Sequence, residues 1–253
     1  MALGPDRRTV LSTRRMTPGQ AYAADIDVGL RQYMLGIYNY MASGLALTGI
    51  IAYVAANTPA ILNLLYTAGP GGSLQPTMLA WIAMLSPLAF ILVLNFGLQR
   101  MKASTVQAVF WGFSGVMGLS IAHIFLAYTG TSIARVFFIT AGTFAGMSLY
   151  GYTTKRDLTG LGSFMFMGLI GIIIASIINM FLQSSAMHFV ISVIGVLVFV
   201  GLTAYDTQKI KNLYSEIDSA DTATKKAIMG ALTLYLDFIN LFLMLLRLFG
   251  QRR

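Results

Sequence analysis

Long apolar segments alternate with short polar ones along almost the whole chain. Seven of them are apolar over about 20 residues, the length that a helix needs to cross the hydrocarbon core of a bilayer. They are too long for strands and lack the alternation of membrane barrels. We therefore predict an all-α integral membrane protein, a bundle of seven transmembrane helices over residues 34–56, 78–98, 105–128, 133–152, 158–182, 186–205 and 227–246.

The first 30 residues differ from the rest. They contain Pro5, Pro18 and several charges and have no compact apolar core near the start, so a secretory signal peptide is not expected. We interpret residues 1–30 as a polar, mostly disordered cytoplasmic tail. Residues 31–250 are then one seven-helix transmembrane domain.

Composition indicates that lipid is the main solvent of this chain. Charged residues make up only 10% of it, whereas soluble domains carry roughly 25%. The absence of cysteine excludes disulfides and thiolate metal sites, and two histidines are too few for a histidine-based metal cluster. Because no phosphate-binding loop or hydrolase motif is present, we expect no enzyme activity and no cofactor.

Basic residues are distributed unevenly between the apolar segments. We attribute the excess of 17 Lys and Arg over 9 Asp and Glu to topology and expect no nucleic-acid partner. Basic and charge-free gaps alternate through the first six segments, and the basic ones hold Arg7, Arg8, Arg14, Arg15 and Arg31, then Arg100 and Lys102, then Lys155 and Arg156, then Lys209, Lys211, Lys225 and Lys226. Because basic loops stay on the cytoplasmic side, we predict a cytoplasmic N-terminus.

The seventh segment breaks this alternation. If it crosses the membrane, Arg247, Arg252 and Arg253 lie on the outer side. Two interpretations are open, a full crossing or a re-entrant segment that is buried in protein or lines water. We favour the full crossing, because residues 227–246 contain no proline and only one glycine.

Asp237 is the only charged residue in the seventh segment. A carboxylate in the bilayer core is costly unless it is protonated, paired or hydrated, so an intramembrane acid marks a candidate functional site. The residues that share its helix face are mostly small or polar, namely Gly230, Thr233, Asn240 and Met244. We expect this face to turn toward the bundle interior or a water-filled cavity.

Asp206 and Arg100 are the other candidate site residues. Asp206 closes the sixth segment and Arg100 ends the second, on the same predicted side of the membrane. Each alone also fits a simple role at a helix end, with Arg100 reaching the lipid headgroups. An ion pair between them could instead close a cytoplasmic gate.

If Asp206 and Asp237 lie close together, they cannot both ionise easily, and the pair titrates as a unit. When both are deprotonated their oxygens suit Ca²⁺, and a proton can replace the ion. For the two to meet, the sixth helix must extend past Asp206 or the seventh must begin outside the hydrocarbon. This is because Asp237 lies about 16 Å along a helix from Lys226, and Asp206 only about 5 Å from Lys209.

Glycines also suggest how the helices pack. Gly142 and Gly146 form a GxxxG pair in the fourth segment. Small residues at this spacing let membrane helices approach closely, so we predict tight packing inside the bundle, with dimerisation as the alternative.

Three segments resemble the transmembrane Bax-inhibitor-motif family in its bacterial branch. They are GLTAYDTQKIKNLY (201–214), LTLYLDFINLFLMLLRLFG (232–250) and SLYGYTTKRDLTGLG (148–162). The YDTQ element followed by YLDFINLF is the most specific part, and the resemblance extends over nearly all of residues 30–250.

The resemblance implies a seven-helix bundle in a bacterial inner membrane, with the last helix at the centre, and a pH-sensitive calcium leak. It implies that Asp206 and Asp237 form the pH-sensing, ion-binding pair and that Arg100 latches Asp206 in the closed form. Residues 1–30 depart from the family pattern.

Two other functions fit the same sequence. The protein could be a regulator that binds a membrane protease or quality-control complex through its tail, or a calcium/proton exchanger that uses the same acids. The expected partners are therefore the lipid bilayer, calcium and protons, with such a complex as a further candidate.

Overall fold

Seven helices of the computed structural model are long and apolar enough to cross a membrane, which confirms the seven-helix, all-α fold. The structure describes residues 18–69 and 74–253. In chain order the elements are α1 (Pro18–Asn57), α2 (Pro59–Leu65), β1 (Tyr66–Ala68), β2 (Leu74–Pro76), α3 (Met78–Gly97), α4 (Ala103–Ile121), α5 (His123–Ala127), α6 (Gly130–Thr153), α7 (Thr159–Leu182), α8 (Ser185–Asn212) and α9 (Ala220–Phe249).

Helix α1 starts earlier than the hydropathy pattern predicts. It begins at Pro18, inside the segment that we interpret as a tail, and its membrane-crossing part runs over Val28–Asn57. Proline is favoured in the first turn of a helix, because its missing N–H would have no helical acceptor there. Residues 1–17, the larger part of the predicted tail, lie outside the described residues.

The charge-free gap after α1 is more ordered than a plain loop. It contains the short helix α2 and an antiparallel hairpin in which Tyr66 of β1 pairs with Pro76 of β2. The side chain of Thr77 then caps α3 by accepting a hydrogen bond from the backbone N–H of Ala80, at 3.2 Å. These contacts give the entry to α3 a fixed geometry.

The last helix lies at the centre of the bundle. It packs against α1, α4, α6 and α8, and 15 of its residues are buried, against three in α7. Helix α7, in contrast, leaves many isoleucine, phenylalanine and methionine side chains exposed, as expected of a helix at the lipid-facing surface of a bundle. The central position implied by the family resemblance is therefore confirmed.

Helix α9 also crosses the whole bundle. At its start, the Asp221 carboxylate accepts a hydrogen bond from the backbone N–H of Ala103, at the beginning of α4. After its end, the Gln251 carbonyl accepts one from Thr129, beyond the end of α5. We call these two ends the lysine end (loops 98–102, 154–158 and 213–219) and the C-terminal end (residues 58–69, 74–77, 128–129, 183–184 and 250–253). A continuous helix from one end of the bundle to the other favours a full crossing by this segment over the re-entrant interpretation.

The backbone hydrogen-bond pattern is interrupted in α3 and at the end of α4, in the same region of the bundle. Pro87 in α3 has no N–H to donate to the Ala83 carbonyl, and the Ser86 hydroxyl donates to that carbonyl instead, at 3.0 Å. Helix α4 gives way to α5 at Ala122, where the His123 ring nitrogen Nδ1 lies 3.1 Å from the Ser120 carbonyl. Side chains can satisfy such freed backbone groups inside a membrane where the backbone borders protein or a cavity.

The close helix contact predicted for the GxxxG pair is wrong. A Cβ atom built on Gly142 or Gly146 would meet nothing within 4 Å. The close approach on α6 occurs instead at Gly151, where a Cβ atom would overlap the Ala204 carbonyl of α8. Gly151 therefore lets two backbones approach where no side chain fits.

We expect Gly151→Ala to destabilise the fold by about 1–3 kcal/mol, because the added methyl group overpacks the α6–α8 contact. Gly142→Ala is the matched control on the same helix, and it should be neutral or stabilise by up to about 1 kcal/mol through helix propensity. Thermal unfolding of both purified variants in detergent measures the difference. Equal midpoints would contradict the packing described here.

Candidate functional site

A cavity of about 1100 Å³ lies between α3 and α4 on one side and α7, α8 and α9 on the other. Helix α3 packs chiefly on α4, which leaves a gap toward α7 and α8. Both helix interruptions border this gap, because Pro87 and His123 line the cavity. The polar side chains on its wall are Ser120, Ser163, Asp206, Lys209, Thr233, Asp237 and Asn240, together with the His123 ring and the Tyr205 hydroxyl.

Asp237 is held by α9 at the inner wall of this cavity. It is only 5% exposed, and its oxygen Oδ2 accepts no hydrogen bond from the described residues. Thr233 and Asn240, one turn before and after it, line the same cavity, as their shared helix face predicts. Their hydrogen-donating groups bind carbonyls of α9 itself, at 3.1 Å and 2.8 Å. Neither forms a hydrogen bond with the Asp237 carboxylate.

Asp206 approaches Asp237 from α8. The two carboxyl groups lie within hydrogen-bond reach of each other, and Asp206 is partly buried. The two helices meet at this depth because α8 continues six residues past Asp206 to Asn212, while α9 begins 17 residues before Asp237. The sixth helix thus extends past Asp206, which is the first of the two solutions considered from the sequence, and α9 begins seven residues before the predicted seventh span.

The contact between the two acids has a chemical consequence. A carboxylate only accepts hydrogen bonds, so two carboxyl groups can bond each other only when one of them carries a proton. Two carboxylates without that proton repel each other in a buried site. A contact between the two groups is therefore chemically compatible with one shared proton or with a cation between the oxygens.

The four residues of the YDTQ motif make four different contacts. The ring of Tyr205 lies against Gly162 of α7, Asp206 faces the cavity, and the Thr207 hydroxyl is 2.9 Å from that of Ser148 on α6. Gln208 accepts from the backbone N–H of Leu158 at 2.8 Å. Successive helix positions point about 100° apart, so one short motif reaches four neighbours.

Gln208 and Ser148 also hold the helices of the site in place, although sequence analysis did not select them as site residues. The Gln208 amide also donates to the Arg156 carbonyl, at 2.7 Å, which fixes the α6–α7 loop. Ser148 connects Thr207 to the hydroxyl of Tyr38 on α1, at 2.6 Å. The signal for Gln208 was present in the YDTQ motif, whereas nothing local to Ser148 or Tyr38 marks their roles.

Arg100 lies apart from the acid pair in this structure. It occupies the turn after α3, is exposed, and forms no ion pair with Asp206. The cation whose charge acts on the Asp206 carboxyl is Lys209, one turn further along α8. The Lys209 amine also lies 5.9 Å from the centre of the Tyr205 ring. The latch role of Arg100 stays a prediction.

The acid pair alone cannot form a complete calcium site. No group of three or more His, Cys, Asp or Glu side chains that could hold a metal occurs among the described residues. Ca²⁺ takes six to eight oxygen ligands, which include carbonyls, amides and water. Asp206 and Asp237 would supply the charge, while Thr233, Asn240 and water in the cavity could supply further oxygens.

The fold and the site define an integral membrane protein with seven spans and two contacting carboxyl groups on its last two helices. A family model described as "Inhibitor of apoptosis-promoting Bax1" matches residues 30–253. The chain therefore belongs to the Bax inhibitor family, and the resemblance inferred from the YDTQ and YLDFINLF elements is confirmed.

Bacterial proteins resemble the chain over most of its length. An uncharacterized protein of Rickettsia prowazekii is 50% identical over 227 residues, which cover 90% of this chain and 92% of that protein. Inner membrane protein YbhL of Escherichia coli K12 is 49% identical over 227 residues, 89% of this chain and 94% of that protein. An uncharacterized protein of Caulobacter vibrioides is 44% identical over 241 residues, 94% and 96% of the two chains.

The contact between the acids predicts that their substitutions are not additive. In a double-mutant cycle of Asp206→Asn and Asp237→Asn, we expect a coupling energy of about 0.5–3 kcal/mol, as is typical of contacting groups. Unfolding of the single and double variants in mixed micelles measures it. A cycle that pairs Asp237→Asn with Asp157→Asn is the control, because Asp157 lies in the exposed loop before α7. A near-zero coupling between Asp206 and Asp237 would contradict the described contact.

Proposed function

We propose that this protein is a cation leak channel, with calcium as the transported ion, and that a proton on the Asp206–Asp237 pair regulates it. The observation that supports this function most directly is the contact between two carboxyl groups on the wall of a large cavity inside a membrane bundle. Buried acids of this kind mark ion and proton pathways in membrane proteins. The proposed activity is transport without a catalysed reaction or a cofactor.

The mechanism is a competition between a proton and a cation. With one shared proton, the pair carries a single negative charge, and its members hold α8 and α9 together through their hydrogen bond. When the proton leaves, the two carboxylates repel each other, and a divalent cation can neutralise both. Since the proton and calcium occupy the same oxygens, the apparent affinity for calcium rises as the pH rises.

The rest of the cavity suits a passage that opens and closes. Its wall includes α3, which contains Pro87 and packs chiefly on α4, and which has no comparable contact with α7 or α8 that would prevent a shift relative to them. Arg100 follows directly after α3 and would move with it. We propose that Arg100 pairs with Asp206 in another conformation and thereby closes the lysine end of the passage.

Calcium flux against pH tests the proposal. In proteoliposomes, Asp237→Asn and Asp206→Asn should each reduce the pH-dependent part of the flux by at least about tenfold, because a charge-assisted hydrogen bond is worth about 1.5–3 kcal/mol. Asp157→Asn is the control, since it removes an exposed carboxylate outside the cavity and should leave the pH profile unchanged.

The same assay separates the alternatives. Unchanged flux and an unchanged pH response in both site variants would reject the di-aspartyl mechanism. Calcium that moves uphill on an imposed proton gradient would show that the protein is an exchanger, which uses the same two acids. Purified protein that never conducts would favour the regulator that binds a protease or quality-control complex.

We also propose that the chain lies in the bacterial inner membrane, where the name of inner membrane protein YbhL places that E. coli relative, with the lysine end in the cytoplasm. The absence of cysteine makes this testable with single-cysteine variants. In intact cells, a membrane-impermeant thiol reagent should label Thr131→Cys at the C-terminal end. It should label Ile217→Cys, in the 96% exposed loop position at the lysine end, only after permeabilisation. The reverse pattern would place the N-terminus outside.

A further inference from the structure

A second cavity, of about 720 Å³, lies at the C-terminal end of the bundle, away from the acid pair. It is bounded by the α7–α8 loop, the first turns of α8 and the end of α9. The polar side chains that matter for its chemistry are Asn179, Ser184, His188, Ser192, Arg247 and Arg252. The described residues that line it include no Asp or Glu. We call it the arginine cavity.

The two arginines are held at this cavity by the fold. Arg247 lies in the last turn of α9, and Arg252 follows on a short extended segment. This segment is fixed across the end of the bundle, because Thr129 donates to the Gln251 carbonyl at 3.0 Å and Arg253 donates to the Ala127 carbonyl at 3.1 Å. The backbone of Gln251 also donates to the Ser132 hydroxyl at 2.9 Å. Arg252 is therefore placed at the rim by backbone contacts on both sides.

The histidine in this cavity has a defined hydrogen-bonding role. The Asn179 side-chain oxygen accepts a hydrogen bond from the backbone N–H of Ser184, at 3.0 Å. The amide nitrogen of Asn179 therefore faces the His188 Nδ1, 3.2 Å away, and donates to it. In neutral imidazole the hydrogen must then be on Nε2. His188 thus offers a donor rather than an acceptor to a ligand in the cavity.

The charges of the cavity lack a compensating anion. Neither Arg247 nor Arg252 forms an ion pair among the described residues, and the charges of both act on the His188 ring. Arginines at this end are also an exception to the charge distribution of the chain. The basic residues of the other loops lie at the lysine end, which is the predicted cytoplasmic side. A bound anion would relieve the repulsion and could accept charge-assisted hydrogen bonds from both guanidinium groups.

The edge of the cavity is apolar on the side of α7 and α8. Met180 and Phe189 line it and are 69% and 62% exposed, as expected of side chains that contact acyl chains. A small soluble anion would need no such edge. We propose that the arginine cavity binds a phosphate-bearing anion through Arg247, Arg252 and His188, and that this anion is the headgroup of an anionic phospholipid.

Binding of phosphatidylglycerol to the purified full chain tests this inference. Thermal unfolding in detergent should show that phosphatidylglycerol stabilises the protein and that phosphatidylcholine does not. The double variant Arg247→Gln/Arg252→Gln should lose at least about tenfold in affinity, because it removes two charged donors. Arg135→Gln is the matched control, since Arg135 lies near the start of α6 at the same end but does not line the cavity.

Inorganic phosphate distinguishes the two sources of the anion. If phosphate alone stabilises the wild type but not the double variant, and phosphatidylglycerol adds nothing, the site binds a free anion and the lipid assignment is overturned. If both arginine variants bind phosphatidylglycerol like the wild type, or if phosphatidylcholine binds equally well, the site itself is overturned. Arg252→Gln alone, which changes only the segment after α9, provides the test if the double variant does not fold.

Discussion

The arrangement of the bundle depends on keeping two carboxyl groups together away from bulk water. Asp237 reaches the middle of the bundle only because α9 is central and begins 17 residues before it. Asp206 reaches the same depth because α8 continues to Asn212. The cavity supplies the space into which both groups face, and it exists because α3 packs chiefly on α4. Buried acids require compensation, which a shared proton or a bound cation at this contact would provide.

Hydropathy predicted the seven spans because lipid imposes nearly the same length on each of them. It placed the end of the sixth span too early, since Lys209 and Lys211 end the apolar run although the helix continues past them. Asp237 could be identified as a candidate from the sequence, because a single charge in an apolar segment stands out even when the residues that contact it are unknown. The close approach at Gly151, in contrast, depends on how α6 is rotated against α8. The GxxxG pair shows that glycine spacing alone does not determine which helix face is in contact.

The YDTQ motif shows why a resemblance identified the site more surely than chemistry alone. Only Asp206 has an obvious chemical role, and a lone acid at a helix end fits many functions. Tyr205, Thr207 and Gln208 contact three other parts of the molecule, so each is restricted by packing rather than by reactivity. The contacts of the motif residues therefore reflect how α8 is rotated against its neighbours, and this rotation turns Asp206 toward Asp237.

Distant charges are too weak to compensate the buried acid. Arg247 lies ten residues beyond Asp237 on α9, about 15 Å along the axis. At an effective dielectric constant of about 20, two unit charges at that distance attract by only about 1 kcal/mol. Removing a carboxylate from water costs several kcal/mol. Lys209 acts on Asp206 rather than on Asp237. None of these charges among the described residues therefore compensates Asp237, which leaves a proton, a cation at the Asp206 contact or water in the cavity.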